Sequence, residues 1–523
     1  MRYLHRFAAI AALVPLLAVT ADPAAAVPRG SGDWPTWQGD LRGSRHNPDE
    51  RRITPATVGS LKLKWAFAYP DSEMPAKSQP AVVDGVVYVG GPDGVFYALD
   101  ARTGATRWTF ATSSVDPAAG VGFVLDGPTV VDGRVFFGDS RGYVYALDAR
   151  TGRVRWARDT ETHPAGIHTS SPLHYDGKIY IGASSGENTG GADYPCCTFR
   201  GHIDALDART GAVVWRYYTV PEPRRVGTWP SGAARFEPSG AGVWSSPVID
   251  PRTGTLYVGT GQNYTGSAGD FDSLLALDAR TGAARWKQQV TDADTWRALC
   301  NEPDAAGYCP GLADGTALDY DIGATPNLFR AGGRTMVGVG QKSGVYHVFD
   351  AATGAVSWRR QLSEPFPSGG ISGIQWGSSY DGQRLYVATW FADPGTLFAL
   401  NPADGALLWQ TPNPADGCTT GGSAAFPDVC ALAHTPAVTT SPGLVYEGSQ
   451  DGKMRIYSAR TGEVRWQFDT VREFAGVNGL TGFGGGVSGN GGAVVSNGMV
   501  YVQVGYYPTY ASPHGHVLLA FGL

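Results

Sequence analysis

Seven near-copies of one eleven-residue phrase run through the chain, and such a period constrains the fold more than any other feature. ALDARTGATRW at 98–108 returns as ALDARTGRVRW (146–156), ALDARTGAVVW (205–215) and ALDARTGAARW (276–286). Weaker copies follow as VFDAATGAVSW (348–358), ALNPADGALLW (399–409) and IYSARTGEVRW (456–466). They begin 48 to 72 residues apart. In each, an alternating apolar strand such as Val95–Leu99 enters a D-x-x-T-G turn. The Asp accepts turn N–H groups, the Gly takes positive φ, and a second strand ends in Trp. Hairpins of the type VVDGVVYVGG (82–91), VVDGRVFFGD (130–139) and HYDGKIYIGA (174–183) lie upstream. Each unit therefore reads as a four-stranded antiparallel sheet, and such sheets in series predict an all-β, eight-bladed β-propeller. The eighth blade comes from the chain ends. Val500–Val504 and Val517–Leu523 supply strands with no TG…W after them, and LKLKWAF (61–67) is a lone strand carrying Trp65. Joining them leaves no open sheet edge. The repeated Trp residues are expected to dock one blade on the next.

Abundant glycine (72 residues) and sparse charge (17%) suit many short strands joined by tight turns. No Pro/Ser-rich linker divides the chain, so residues 27–523 are expected to form a single propeller. Arg2, His5 and Arg6 precede an apolar run from Phe7 to Val19, and Ala24-Ala25-Ala26 offers a small-residue cleavage site. Residues 1–26 therefore read as a secretory signal peptide, too short to span a bilayer. Its removal takes away Arg2, Arg6 and Asp22 and moves the formal charge from −6 to −7. A mildly acidic, exported chain with no basic stretch and no other long apolar run implies neither a nucleic-acid partner nor a membrane span.

Export and six cysteines favour disulfides. Fifteen connectivities are open; proximity suggests Cys300 with Cys309 and Cys418 with Cys430, which leaves Cys196 to pair with Cys197. The stretch YPCCTFRG carries that adjacent pair. No Cys or His stands near it at metal-ligand spacing, so a vicinal disulfide is expected there.

The AxDxxTGxxxW repeat, eight blades, a leader and a vicinal Cys pair together resemble the pyrroloquinoline-quinone (PQQ) dehydrogenases, over essentially the whole mature chain. Segments similar to SSGE…CCTFRG, VWSSP…YVGTG and GQKSG occur in that family in this order. The resemblance implies dehydrogenation of an alcohol, small or polymeric, by hydride transfer to PQQ beside a Ca2+ ion, with a lanthanide as the lesser alternative. It assigns Glu187 to the metal, and Thr169 and Ser184 to hydrogen bonds with the quinone. Trp244 would stack on the quinone face. Eighteen residues later the metal-ligating amide falls on Gln262, with Asn263 adjacent and either carbonyl a suitable hard ligand. Lys342 would contact the quinone oxygens, and Trp376 and the Gly-rich loop around Asn478 to Gly492 would share that face. Cys196 and Cys197 would clamp or rim the cofactor. For the catalytic base, an ungapped count reaches Ser267, and with a gap in GSAGDFDSLLALDARTG the choice is Asp270, then Asp272. The absence of C-x-x-C-H excludes a c-type haem attachment site in this sequence, so electrons would pass to a separate acceptor, a cytochrome c or a quinone. The competing expectation is a binding or assembly propeller without catalysis, in which Glu187, Trp244 and Lys342 would scatter.

Overall fold

A computed structural model describes residues 32–70, 72, 74, 76–365, 372–390, 394–487, 490–505 and 514–523; the expected leader lies outside them. Among the described residues eight antiparallel blade sheets follow one another around an axis, seven of four strands and one, in blade three, with Gly166–Ile167 as a fifth. Blade one is Ala81–Val83, Val86–Gly90, Val95–Asp100 and Thr106–Ala111, and blade two begins at Thr129–Val131. Blade three holds Leu173–Tyr175, Lys178–Ser185, His202–Asp207 and Val213–Tyr218. Blade four holds Val248–Asp250, Thr255–Gly259, Ser273–Asp278 and Ala284–Gln289. Blade five runs from Asn327–Ala331 through Arg334–Gly340 and Val345–Asp350 to Val356–Gln361. Blades six and seven begin at Ser379–Tyr380 and Thr439–Ser441. Blade eight takes Val494–Ser496, Met499–Val504 and Val517–Gly522 from the end of the chain, and its outer strand is Lys62–Ala68. That strand pairs antiparallel with Val517–Gly522, Ala66 opposite Leu519, so the expected closure by the chain ends is present.

The repeat explains how blades dock. Trp108 donates from Nε1 to the carbonyl of Ala149 in the next blade's turn at 3.0 Å. Trp156 reaches Ala208, Trp215 reaches Ala279, Trp286 reaches Ala351, Trp358 reaches Pro402 and Trp409 reaches Ala459, all at 3.0–3.1 Å. Trp65 reaches Ala101, and Trp466 closes the ring at Leu61, each at 3.2 Å. The Gly of each turn is doubly constrained. Gly354 has φ +74°, and a Cβ there would stand 2.8 Å from the Trp286 ring. The core consists of apolar clusters between neighbouring blades, such as Tyr180, Ile203 and Leu275 between three and four.

One feature was not expected from the repeat. Residues 34–47 run past the innermost strands as an arc. Trp34 pairs with Val82, and Val130, Ile249, Leu328, Tyr380 and Thr440 donate to the arc's carbonyls at 2.7–2.9 Å. Asn47 donates to Val495 O at 2.8 Å, so the arc touches the inner strands of seven blades. Arg45, wholly buried, donates to the carbonyls of Trp37 and Val438 and to Gln79 Oε1, which fixes the arc against blade seven and the blade-one approach.

Candidate active site

Strand direction alternates within a blade, so two kinds of connection open on one face: second strand to third, and outer strand to the next blade. Glu187, Asn263 and Lys342 sit on the first kind in blades three, four and five, and Trp244 and Trp376 on the second. The two longest connections of the second kind, 219–247 and 290–326, also rise here. The Cys196–Cys197, Cys300–Cys309 and Cys418–Cys430 disulfides are all formed.

The structure brings Lys342, Trp244 and Trp376 together around two carboxylates, Asp319 and Asp321. Lys342 Nζ lies 2.8 Å from Asp319 Oδ1 and 2.7 Å from Asp321 Oδ2. Asp321 also accepts Trp244 Nε1 at 3.2 Å and the Gln262 N–H at 2.5 Å, so it aligns ring, lysine and the Gln262–Asn263 strand at once. Lys342 Nζ stands 5.5 Å from the centre of the Trp244 ring, within cation–π range. Trp376 meets Trp244 edge to face at 5.0 Å and Trp37 of the arc at 6.4 Å, so the three tryptophans form a column on the axial side. The Trp244 ring lies so close over Gly323 that a Cβ there would overlap it at 1.7 Å. Burial opposes the Lys342 charge, but Asp319 and Asp321 outweigh it and hold the ammonium above its usual range. Asp319 is pushed well above the carboxylate range by burial, against the pull of Lys342. Its Oδ2 carries no hydrogen bond among the described residues.

Asn263 is buried with Nδ2 donating to Gly266 O and Ala268 O, which leaves Oδ1 an acceptor without a partner among the described residues. Gln262 instead donates from Nε2 to Trp296 O at 3.4 Å. Asp272 is fully buried, with positive φ, and its carboxyl group faces that of Asp294. Burial and the nearby carboxylates of Asp294 and Asp321 push it well above its usual range. Asp294 accepts the N–H groups of Leu318, Asp319 and Tyr320, and so shapes the turn that presents Asp319.

Glu187 stands at the other end. Its carboxylate accepts the Thr198 N–H at 2.8 and 3.0 Å and the Phe199 N–H at 2.8 Å, and His163 Nε2 lies 3.5 Å away. Burial works against its charge, yet the His163 and amide hydrogen bonds outweigh it and lower its pKa. Those amides follow Cys196–Cys197 directly. The pair is buried against Ala183, Phe199 and Tyr264, with Tyr194 alongside. Thr169 and Ser184 face each other, hydroxyls 3.1 Å apart, and a Cβ on Gly242, two residues before Trp244, would touch Ser184 and Tyr264. Tyr264 joins the halves: its hydroxyl donates to Ser185 O, and its pKa is raised chiefly by burial and further by Asp321, Glu187 and Asp319.

Asp270 does not join this group. Its carboxylate is taken by Lys287 at 2.7 Å and the Tyr217 hydroxyl at 2.6 Å, because it points along the outer strands of blades three and four. Asn478 is likewise elsewhere, bonded through its amide to the Ala68 backbone. Residues 488 and 489 of that Gly-rich loop lie outside the described residues. Sequence reasoning missed Asp319, Asp321 and Asp294. A signal existed: Thr169, Trp244 and Gly323 each precede by three residues the Pro that opens an inner strand (Pro172, Pro247, Pro326), and Asp321 is two residues from that position.

The arrangement fits a planar anionic quinone and a hard cation on two counts: a half-buried indole aligned beside a fixed ammonium, and the orphaned amide oxygen of Asn263. Among the described residues no three His, Cys, Asp or Glu side chains close into a complete metal centre, so the chain offers single carboxylate and amide oxygens.

Comparison with known proteins agrees. The family model described as "Glucose/ethanol/alcohol dehydrogenase, beta-propeller domain" matches residues 34–298, and that of the outer membrane protein assembly factor BamB matches 341–505. A polyvinylalcohol dehydrogenase of Pseudomonas sp. is 32% identical over 490 residues, covering 90% of this chain and 73% of the relative. The Sphingopyxis sp. polyvinylalcohol dehydrogenase is 33% identical, over 86% and 69%. Among solved structures, the quinohemoprotein alcohol dehydrogenase of Comamonas testosteroni shares the fold with a TM-score of 0.66 at 22% identity, covering 95% of this chain and 81% of that one. The chain thus belongs to the PQQ-dependent alcohol dehydrogenases, oxidoreductases that act on CH–OH groups.

Proposed function

We propose that the protein is a secreted dehydrogenase that oxidises secondary alcohols or a hydroxylated polymer such as polyvinyl alcohol and passes the electrons to a separate cytochrome c or quinone. The observation that carries this reading is the meeting of Lys342, Trp244, Trp376, Asp319 and Asp321 beside the free Asn263 oxygen. When bound with Ca2+, PQQ would supply an electrophilic carbonyl as the hydride acceptor. Glu187 and Asn263 Oδ1 would hold the cation, Gln262 being turned to Trp296. Trp244 would support the quinone plane, with Thr169 and Ser184 at its edge.

Asp319 replaces Asp270 as the base of the reading. Ionised opposite Lys342, its carboxylate takes the hydroxyl proton of the alcohol on Oδ2 as hydride leaves the carbinol carbon. Lys342, fixed by the same carboxylate, places positive charge where negative charge develops during transfer. Asp321 keeps Lys342 and Trp244 in register, and Asp272 with Asp294 forms an acid pair behind them. The Trp37–Trp376–Trp244 column keeps water from the axial side. The test is reconstitution: purified apo-protein with PQQ and Ca2+ should oxidise secondary alcohols with a dye acceptor, and Glu187→Ala should abolish it. Absence of quinone binding with Ca2+ and with a lanthanide overturns the proposal.

A further inference from the structure

The longest connection, 290–326, is clipped by Cys300–Cys309 and presents a charge the mechanism does not use. Arg297 is 2% exposed. Its Nε and Nη2 both donate to Tyr308 O, at 3.2 and 2.9 Å, while Nη1 has no partner among the described residues. The guanidinium lies 4.4 Å from the centre of the Trp229 ring, and Arg235 lies 4.9 Å from the same ring. Among the described residues no Asp or Glu forms an ion pair with Arg297. Glu187 is the acid whose field reaches it, but both Glu187 oxygens already accept the Thr198 and Phe199 amides. Burial and Arg235 pull the Arg297 pKa down to about 10, so the guanidinium stays charged at neutral pH.

A buried guanidinium with an unused N–H is costly unless an anion meets it. Its position tells where that anion lies. Trp296 N–H donates to Asn263 O at 3.0 Å, and the Ala298–Asn301 turn packs on the Gly186–Thr189 turn that carries Glu187. Trp229 donates from Nε1 to Cys196 O, which ties the guanidinium's stacking partner to the vicinal disulfide. Arg297 thus stands beside both residues assigned to the cation.

We propose that Arg297 is a carboxylate-recognition residue of this site, its Nη1 binding a carboxylate of the quinone seated against Glu187 and Asn263. This rests on the function proposed above. PQQ carries three carboxylates, and a planar guanidinium held by stacking and by Tyr308 O is preorganised for one of them.

The experiment titrates apo-protein with PQQ and with its trimethyl ester in Ca2+, following quenching of tryptophan fluorescence. Wild type should bind the acid more tightly than the ester. Arg297→Gln should weaken the acid about ten- to a hundred-fold, the range of one charge-assisted hydrogen bond, and leave the ester nearly unchanged. Arg297→Lys should recover part of the difference. Equal weakening of acid and ester marks a structural role and overturns the inference, as does unchanged affinity for the acid. Unchanged quinone affinity with a raised KM for a hydroxy acid, but not for a neutral alcohol, moves the carboxylate to the substrate and also overturns it. No quinone binding by wild type fails the parent reading instead.

Discussion

At the scale of single residues, the site turns on which carboxylate has a free oxygen. Asp270 is engaged by Lys287 and Tyr217, whereas Asp319 Oδ2, beside Lys342, accepts no hydrogen bond among the described residues. Asp319→Asn should therefore lower kcat at least a thousand-fold while PQQ still binds, and Asp270→Asn should leave kcat within a few-fold of wild type; the reverse ranking would restore Asp270 as base. Lys342→Met is expected to be worse folded than Lys342→Arg, since it strands Asp319 and Asp321 buried without their cation, a loss of about 3–5 kcal/mol by denaturant unfolding. Trp244 and Lys342 were legible because each departs from the repeat and matches a family segment. Asp319 was not, because it lies beyond the blade-four outer strand, in a connection whose length no repeat constrains. Glu187 was legible by its turn, but its amide partners, set by the chain just after Cys197, could be seen only in three dimensions.

At the scale of elements, the D-x-x-T-G turn and the Trp that follows form one docking device. The Gly conformation was readable from the turn, but not its second constraint, the preceding blade's Trp ring above it. Gly354→Ala should cost about 1–2 kcal/mol for its positive φ and more for its overlap with Trp286. Gly85→Ala, at φ +70° with nothing near its missing Cβ, should incur the backbone cost alone. Equal losses by denaturant unfolding would remove the docking argument. The Asp of the turn gives a pH signature. Asp100 is lowered to about 2 chiefly by Arg107, Asp148 to about 2 by Thr151 and Arg155, and Asp278 to about 2 by Arg285. These folded-state values lie below the unfolded carboxylate value near 4, so their stabilisation is complete above about pH 4 and lost as pH falls towards 2. Tm should drop through that window, and a triple Asp→Asn variant of these positions should start lower and fall less steeply; an identical slope would show that acid unfolding begins elsewhere.

At the scale of the whole molecule, two devices hold the ring, and only one could be read in advance. Closure by Lys62–Ala68 was legible, because a lone strand with Trp65 at one end and an unfinished sheet at the other complete each other. The arc of 34–47 was not, since it has no period and its hydrogen bonds go to strands up to about 450 residues away in sequence. Yet it supports the site from the axial side: Trp37 is 3% exposed, donates from Nε1 to Thr325 Oγ1 at 3.2 Å and meets Trp376, which meets Trp244. Trp37→Ala should destabilise the protein by about 3–5 kcal/mol. If the tryptophan column is the floor under the quinone, it should also weaken PQQ binding several-fold, because Trp376 loses its support. Trp34→Ala provides the comparison. Trp34 is as deeply buried on the same arc, but it packs in the cluster between blades eight and one, away from Trp376. It should cost similar stability and leave PQQ affinity unchanged. If both variants weaken the quinone equally, the arc acts only by holding the ring closed, and the Trp37 contact has no part in the site.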